Sequence, residues 1–224
     1  MPAKKLAAPV RFKFHQQTLW LSAARCIFWE EESALILSDL HFGKSGHFRK
    51  SGIGIPQNIF KEDLQRLFAQ VQFFKPKTLL IAGDMFHSDE NKEAGFFIKW
   101  RNDMPQTHFC LIRGNHDILP ASFYQKAGIE VFEKKLEIKN FCFTHDAEGG
   151  ENESNHLFTF SGHIHPGVRM KGSGNQSLML PCFYFGNQYA VLPAFSAFTG
   201  LARIKPSTRD HVFALVENAV IKIQ

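Results

Sequence analysis

No apolar run in the 224-residue chain approaches the roughly 18 residues that a membrane-spanning helix needs, so the helical membrane classes are excluded. The first residues, Met1 to Phe14, carry Lys4 and Lys5 with no apolar stretch behind them, which argues against a secretory leader. Cysteine is sparse. Cys26, Cys110, Cys142 and Cys182 contain no CxxC pair, which removes the ribbon-type zinc sites and the thioredoxin-like redox motifs. They lie in apolar stretches such as Phe141-Cys142-Phe143 and are expected to be buried thiols of a cytoplasmic protein. Internal repeats and low-complexity segments are also missing, so solenoids and disordered tails are out. Neither charge sign dominates. Lys+Arg is 26 against Asp+Glu 21, and the net +5 favours acidic partners without naming one. With 44% hydrophobic residues, the chain is expected to form one domain over 1–224.

Histidine, by contrast, is abundant, with eleven residues. It is the commonest metal ligand and a proton carrier near neutral pH, so the positions matter. Short apolar runs at 34–38, 78–82, 108–112, 140–144 and 156–161 read as buried strands. Between them, 57–73 repeats apolar residues at spacings of three and four behind Pro56 and predicts a helix. Residues 92–103 predict a second helix, 11–30 a hairpin-like stretch, and 146–155 a loop. From 179 to the end, several strands are expected, broken at Pro181, Pro193 and Gly200. Strands with helices between them and then β-rich segments predict an α/β layered sandwich.

The five strands share an ending. They run into Asp39-Leu40-His41, Gly83-Asp84, Gly114-Asn115-His116-Asp117, His145 and Gly162-His163-Ile164-His165. Carboxylates, a carboxamide and imidazoles thus collect at the strand C-termini, where open α/β sheets bind ligands. Asp39/His41 and His163/His165 are each two apart, and in an extended segment such residues project to one side, so each pair is expected to aim at one place. Mixed oxygen and nitrogen donors without a thiolate suit Mn²⁺, Fe or Zn²⁺ at an open catalytic site. The Asp84 carboxylate has two oxygens and could bridge a pair of cations, which would clamp a phosphate for in-line displacement.

These motifs, DxH, GD, GNHD, H and GHxH in that order over residues 39–165, resemble the calcineurin-like metallophosphoesterases. The resemblance implies a four-layer fold of two mixed β-sheets flanked by helices. It implies two divalent metals, with Mn²⁺ favoured. Asp39, His41, Asp84 and His165 would hold the first, and Asp84, Asn115, His145 and His163 the second. His116 would act as general acid on the leaving oxygen, oriented by Asp117, with a metal-bound hydroxide as nucleophile. Many members have Asp or Glu three residues after the GD Asp, where this chain has His87, and Gly where it has Asp146. His87 is therefore read as a partner near Asp84.

Further segments, including His41-Phe-Gly-Lys44, Gly54-Ile-Pro56, Trp100, Ser161 to Pro166, Leu180 to Phe183 and Leu192 to Gly200, resemble the bacterial ligase-associated DNA-damage-response endonucleases over residues 33–204. That branch implies single-stranded or damaged DNA as substrate, and an ATP-dependent DNA ligase, a helicase and an exonuclease as functional partners, with no membrane. The basic run Lys44, Arg49 and Lys50 is a candidate contact to a nucleic-acid backbone. Two other readings remain. One is a small-molecule phosphohydrolase, such as a nucleotide or lipid-precursor pyrophosphatase, on the same metal site. The other is a non-catalytic nucleic-acid-binding scaffold, although no ligand position has been lost.

Overall fold

The computed structural model describes residues 6–44, 59–87, 92–147, 157–172 and 176–224. Seven strands form the first sheet in chain order: β1 (Val10–Phe14), β2 (Gln17–Ser22), β3 (Cys26–Trp29), β4 (Ala34–Leu37), β5 (Thr78–Ala82), β6 (His108–Ile112) and β7 (Ile129–Phe132). The first four pair antiparallel and the last four parallel. Local chemistry sets the change. β1 and β2 are joined by His15 and Gln16, both at positive φ (47° and 62°), the geometry of a two-residue hairpin. From β4 onward a helix fills each crossover: α1 (Ile59–Phe74), α2 (Lys92–Asn102) and α3 (Ala121–Lys126). Their apolar faces, with Leu67, Val71, Phe97 and Tyr124, pack on the outer face of the sheet through Leu35, Leu37, Leu79, Ile81, Phe109 and Leu111. The other face is covered as well, which is why β4, β5 and β6 read as continuous apolar runs.

The second sheet is also mixed. It comprises β8 (Lys135–Ile138), β9 (Phe141–Thr144), β10 (Phe158–Ser161), β11 (Pro166–Lys171), β12 (Ser177–Phe185), β13 (Tyr189–Val191), β14 (Ala202–Arg203), β15 (His211–Val216) and β16 (Ala219–Lys222). β9, β10 and β13 run parallel. The inner faces of the two sheets share one core. Trp29, Ile36, Leu80 and Ile112 meet Phe141, Phe143, Phe160, Phe185 and Phe213. The rings of Phe141 and Phe160 lie 5.0 Å apart edge-on, and those of Phe143 and Phe160 stack at 5.5 Å. A dry layer of this kind has no use for hydroxyls, which explains 24 phenylalanines beside three tyrosines. Among the described residues the helices lie against the first sheet. The second sheet carries a smaller apolar cluster of Val168, Cys182, Val212 and Ala214.

Pro181 does not break a strand. It lies within β12, opposite Gly167, where that strand stops pairing with β11 and begins pairing with β15 and β13. A proline at a change of partner loses little ladder. α3, β7 and β8 form where no element was expected.

Candidate metal centre

Beyond the ends of β4 and β5 the two chains keep running side by side. Asp39 N donates to Gly83 O (3.1 Å), His41 N to Asp84 O (2.9 Å), Phe42 N to Met85 O (2.9 Å) and His87 N to Phe42 O (2.9 Å). Phe42 and Phe86, 1% and 0% exposed, anchor both loops in the core. The second sheet joins at the same place. Ser38 bridges Ala194, Phe195 N donates to Ser38 O (2.8 Å), and Ser196 N donates to Asp39 O (3.1 Å). Arg25 holds that segment through the carbonyls of Ala194 (3.2 Å) and Ser196 (2.7 Å). Arg66 bonds the Phe195 carbonyl and Asp63 (2.8 Å) and lies over the Phe195 ring. These supports were missed in the sequence. The i,i+3 pair Asp63/Arg66, spanning the turn before the buried Leu67 of α1, was the available signal.

Five of the candidate ligands have left-handed backbone: Asp39 (φ 53°), His41 (49°), Asp84 (52°), His163 (67°) and His165 (49°). For non-glycine residues this costs on the order of 1–3 kcal/mol each and persists only where surrounding structure imposes it. The extended i,i+2 geometry expected for the two pairs is therefore not what forms. Asp39 and His41 still converge, but through left-handed turns, and His163 and His165 part company.

Two groups result. The first is Asp39, His41 and His165, and the second is Asp84, His145 and His163. In the first, His165 Nε2 lies 3.4 Å from Asp39 Oδ1 and 3.4 Å from His41 Nε2. In the second, His145 Nε2 lies 3.4 Å from Asp84 Oδ1 and 3.1 Å from His163 Nδ1. Donors about 2.1 Å from one cation stand about 3.0 Å apart in octahedral and 3.4 Å in tetrahedral geometry, so the spacing fits a divalent metal in each group. The donor chemistry agrees. Burial, then the charges of Lys44, His165, His87 and His116, push the His41 imidazole down to about 2, so it is neutral with a free lone pair. His41 Nδ1 is buried without a hydrogen-bond partner. His145 Nδ1 faces the Ala82 carbonyl at 3.2 Å, which turns Nε2 toward the group.

The motif glycines make room for these ligands. A Cβ at Gly83 (φ 81°) would lie 2.1 Å from His145 Nδ1, and one at Gly114 would lie 2.3 Å from Asp84 Oδ1. His116 N donates to Asp84 Oδ1 (2.9 Å), and its half-exposed ring places Nε2 3.9 Å from Asp84 Oδ2. Asp117 was expected to orient that ring. Its carboxylate instead accepts from the backbone N–H groups of Phe86 (3.0 Å) and Gly114 (2.9 Å), so it shapes the turn that carries His116. Burial pushes Asp117 up to about 6 against those two donors. His87, expected beside Asp84, packs its ring 4.3 Å from that of His116 and 5.6 Å from that of His41. Asn115 is exposed on the same turn. Lys44 is partly buried, and burial lowers its pKa against the pull of Asp39 and Asp84. Arg49 and Lys50 lie outside the described residues, as does the Gly54-Ile-Pro56 segment.

Residues 33–182 match the calcineurin-like phosphoesterase family. The chain belongs to that family. A calcineurin-like phosphoesterase is a metal-dependent phosphoester hydrolase, and the two groups at the strand ends are the candidate ligands here. Among solved structures, the nuclease MPE of Pseudomonas putida is similar at 26% identity and a TM-score of 0.81, covering 96% of this chain and 100% of that one. Yfce, a phosphoesterase from E. coli, has 14% identity and a TM-score of 0.42, covering 82% and 88%. No protein with a curated description matches. No helix among the described residues is long and apolar enough to cross a membrane.

Proposed function

We propose that this calcineurin-like phosphoesterase is a phosphodiesterase acting on DNA, single-stranded or damaged, with two divalent cations, Mn²⁺ favoured. Asp39, His41 and His165 would hold one and Asp84, His145 and His163 the other, with Asp84 shared and Asn115 completing the second. The observation that carries the reading is the pair of adjacent oxygen/nitrogen groups with the half-exposed His116 at their edge. Such cations supply Lewis acidity and lower the pKa of water. The chain's own residues do the rest. Asp39 and Asp84 set the local charge. His116 Nε2 hands a proton to the leaving oxygen, its backbone fixed by Asp84 and its turn by Asp117. Lys44, which faces Asp39 and Asp84, meets a phosphate oxygen.

DNA as the substrate is supported by the whole-length similarity to a nuclease, by the net +5 charge and by the basic run at Lys44, Arg49 and Lys50. The core shared by both sheets supports reading 1–224 as one domain. A cytoplasmic enzyme working beside a DNA ligase, a helicase and an exonuclease rests on the sequence resemblance alone. The test is a substrate panel with chelated and Mn²⁺-reconstituted protein: single- and double-stranded DNA, a chromogenic diester, a monoester and nucleotides. Mn²⁺-dependent cleavage of single-stranded DNA is expected. Turnover of nucleotides with DNA untouched would replace this reading by the small-molecule one.

A further inference from the structure

At the opposite end of β6 lies a third group, formed by His108, Cys110 and Glu130. His108 and Cys110 are two apart on β6 and share a face, and Cys110 stands directly opposite Glu130 on β7. About 13 Å of strand separates His108 from Ile112, where β6 turns toward His116, so this group is distinct from the catalytic one. The His108 ring is gripped from both sides. Nδ1 lies 3.8 Å from Cys110 Sγ, and Nε2 lies 3.0 Å from Glu130 Oε2. The His108 and Glu130 side chains are 56% and 52% exposed, whereas Cys110 is 4% exposed beneath them. An exposed His–Glu pair alone is worth little. A soft donor at its floor changes what the place can hold.

We propose that His108, Cys110 and Glu130 form a second, non-catalytic site for a borderline-soft divalent cation of the Zn²⁺ class. Metal–nitrogen and metal–sulfur bonds of about 2.1 and 2.3 Å put tetrahedral N and S donors about 3.6 Å apart, close to the 3.8 Å between His108 Nδ1 and Cys110 Sγ, and the half-exposed Glu130 carboxylate turns from Nε2 to the Nδ1 side to complete the set. One thiolate, one carboxylate and a neutral imidazole balance a 2+ charge, which suits the margin of an apolar core. Burial, then Glu130, pushes the Cys110 thiol up to about 11, so binding releases its proton to solvent. Three protein donors leave a fourth position for water. The bound ion clamps β7, an end strand of the first sheet, to β6. The two kinds of site also sort metals. The catalytic groups offer no sulfur and accept Mn²⁺, whereas this one prefers Zn²⁺.

The test uses Co²⁺ as a spectroscopic stand-in for Zn²⁺ on the full chain. A thiolate-to-cobalt charge-transfer band reports this site alone, because no cysteine belongs to either catalytic group. The expected result, with the two catalytic groups first filled with Mn²⁺, is a band that saturates at one further Co²⁺ per chain and is displaced by Zn²⁺. Cys110→Ser abolishes it. His108→Ala and Glu130→Gln, both at exposed positions, weaken the Co²⁺ affinity at least tenfold. Diester hydrolysis is unchanged in all three variants. Absence of the band at Co²⁺ levels that support hydrolysis would overturn the proposal. So would a band that persists in Cys110→Ser, or affinity that is unaltered in both His108→Ala and Glu130→Gln.

Discussion

Gly162→Ala would place a methyl group 2.5 Å from Asp39 Oδ2, 2.6 Å from Ser38 Cβ and 2.9 Å from Ser38 Oγ. Ordinary carbon contacts lie at about 3.5–4.0 Å, so about 1 Å of movement must be found. Asp39 cannot supply it freely. Its N–H donates to Gly83 O (3.1 Å), its carbonyl accepts from Ser196 N (3.1 Å), and its carboxylate accepts from His163 N (3.1 and 3.3 Å). Either Asp39 moves, or the loop that carries His163 and His165 moves. Overpacking of this kind costs about 1–3 kcal/mol. At about 2–4 °C per kcal/mol for a chain of this size, Tm should fall by about 2–12 °C. A displacement of about 1 Å at a reacting centre lowers turnover on the order of 100-fold. The expected variant is therefore folded, slightly less stable, poor in Mn²⁺ affinity and about 100-fold slower on a chromogenic diester. Gly95→Ala is the control. Nothing lies within 4 Å of its added methyl, and α2 should gain about 0.5–1 kcal/mol with activity unchanged. Calorimetric melting, Mn²⁺ titration and initial rates decide the matter. Wild-type Mn²⁺ affinity and turnover in Gly162→Ala would refute the claim that this close approach positions Asp39.

His116→Ala should slow DNA cleavage by about 10²–10⁴-fold while a nitrophenyl diester, whose leaving group needs no proton, is affected far less and Mn²⁺ titration is unchanged. Equal losses on both substrates would remove it as the general acid. Lys44→Gln should lower the slope of log affinity for single-stranded DNA against log salt by about one phosphate contact, and an unchanged slope would exclude that contact. Asp210 gives a pH dependence of stability. Burial acts to raise its carboxyl, but donors from Ser207 N (2.7 Å), Ser207 Oγ (2.8 Å) and Tyr184 Oη (2.9 Å) hold it below the usual carboxylate range. Its folded pKa is depressed, so the stabilisation is present above the unfolded carboxylate pKa and lost as pH falls through the folded one. Asp210→Asn should therefore flatten the fall in Tm on acidification, and a slope equal to wild type would count against this.

The candidate site was legible because buried parallel strands leave continuous apolar runs, and the polar residue that ends each run stands out. That made Asp39, Asp84, His116, His145 and His163 visible without coordinates. Backbone conformation was not visible in the same way. Nothing in Asp39-Leu40-His41 announces left-handed φ, because that strain is imposed by bonds from Gly83, Asp84 and Ser196, far away in the chain. The divergence of His163 and His165 followed from the family resemblance but not from their spacing, and for the same reason the backbone partners of Asp117 were out of reach. α3 has only six residues, and β7 and β8 carry charged residues within the strand, so they lack the uncharged, largely apolar run that marked the equally short β4, β9 and β10. Pro181 misled because a proline usually ends a ladder, whereas here the ladder changes partner at that point.

The Ser38–Ala194 bridge has a consequence for the order in which the molecule is made. It joins the beginning of the chain to its last quarter, and the two ligand groups draw on both sheets, so the centre has no local precursor. A chain still being synthesised has every candidate ligand by His165 but lacks the segment that closes against Ser38 and Asp39. Contacts of such long sequence separation form late, after the loop-closure entropy of the intervening chain has been overcome. The competence to hydrolyse a phosphoester thus arrives with the final closure of the last quarter of the chain against its first sheet.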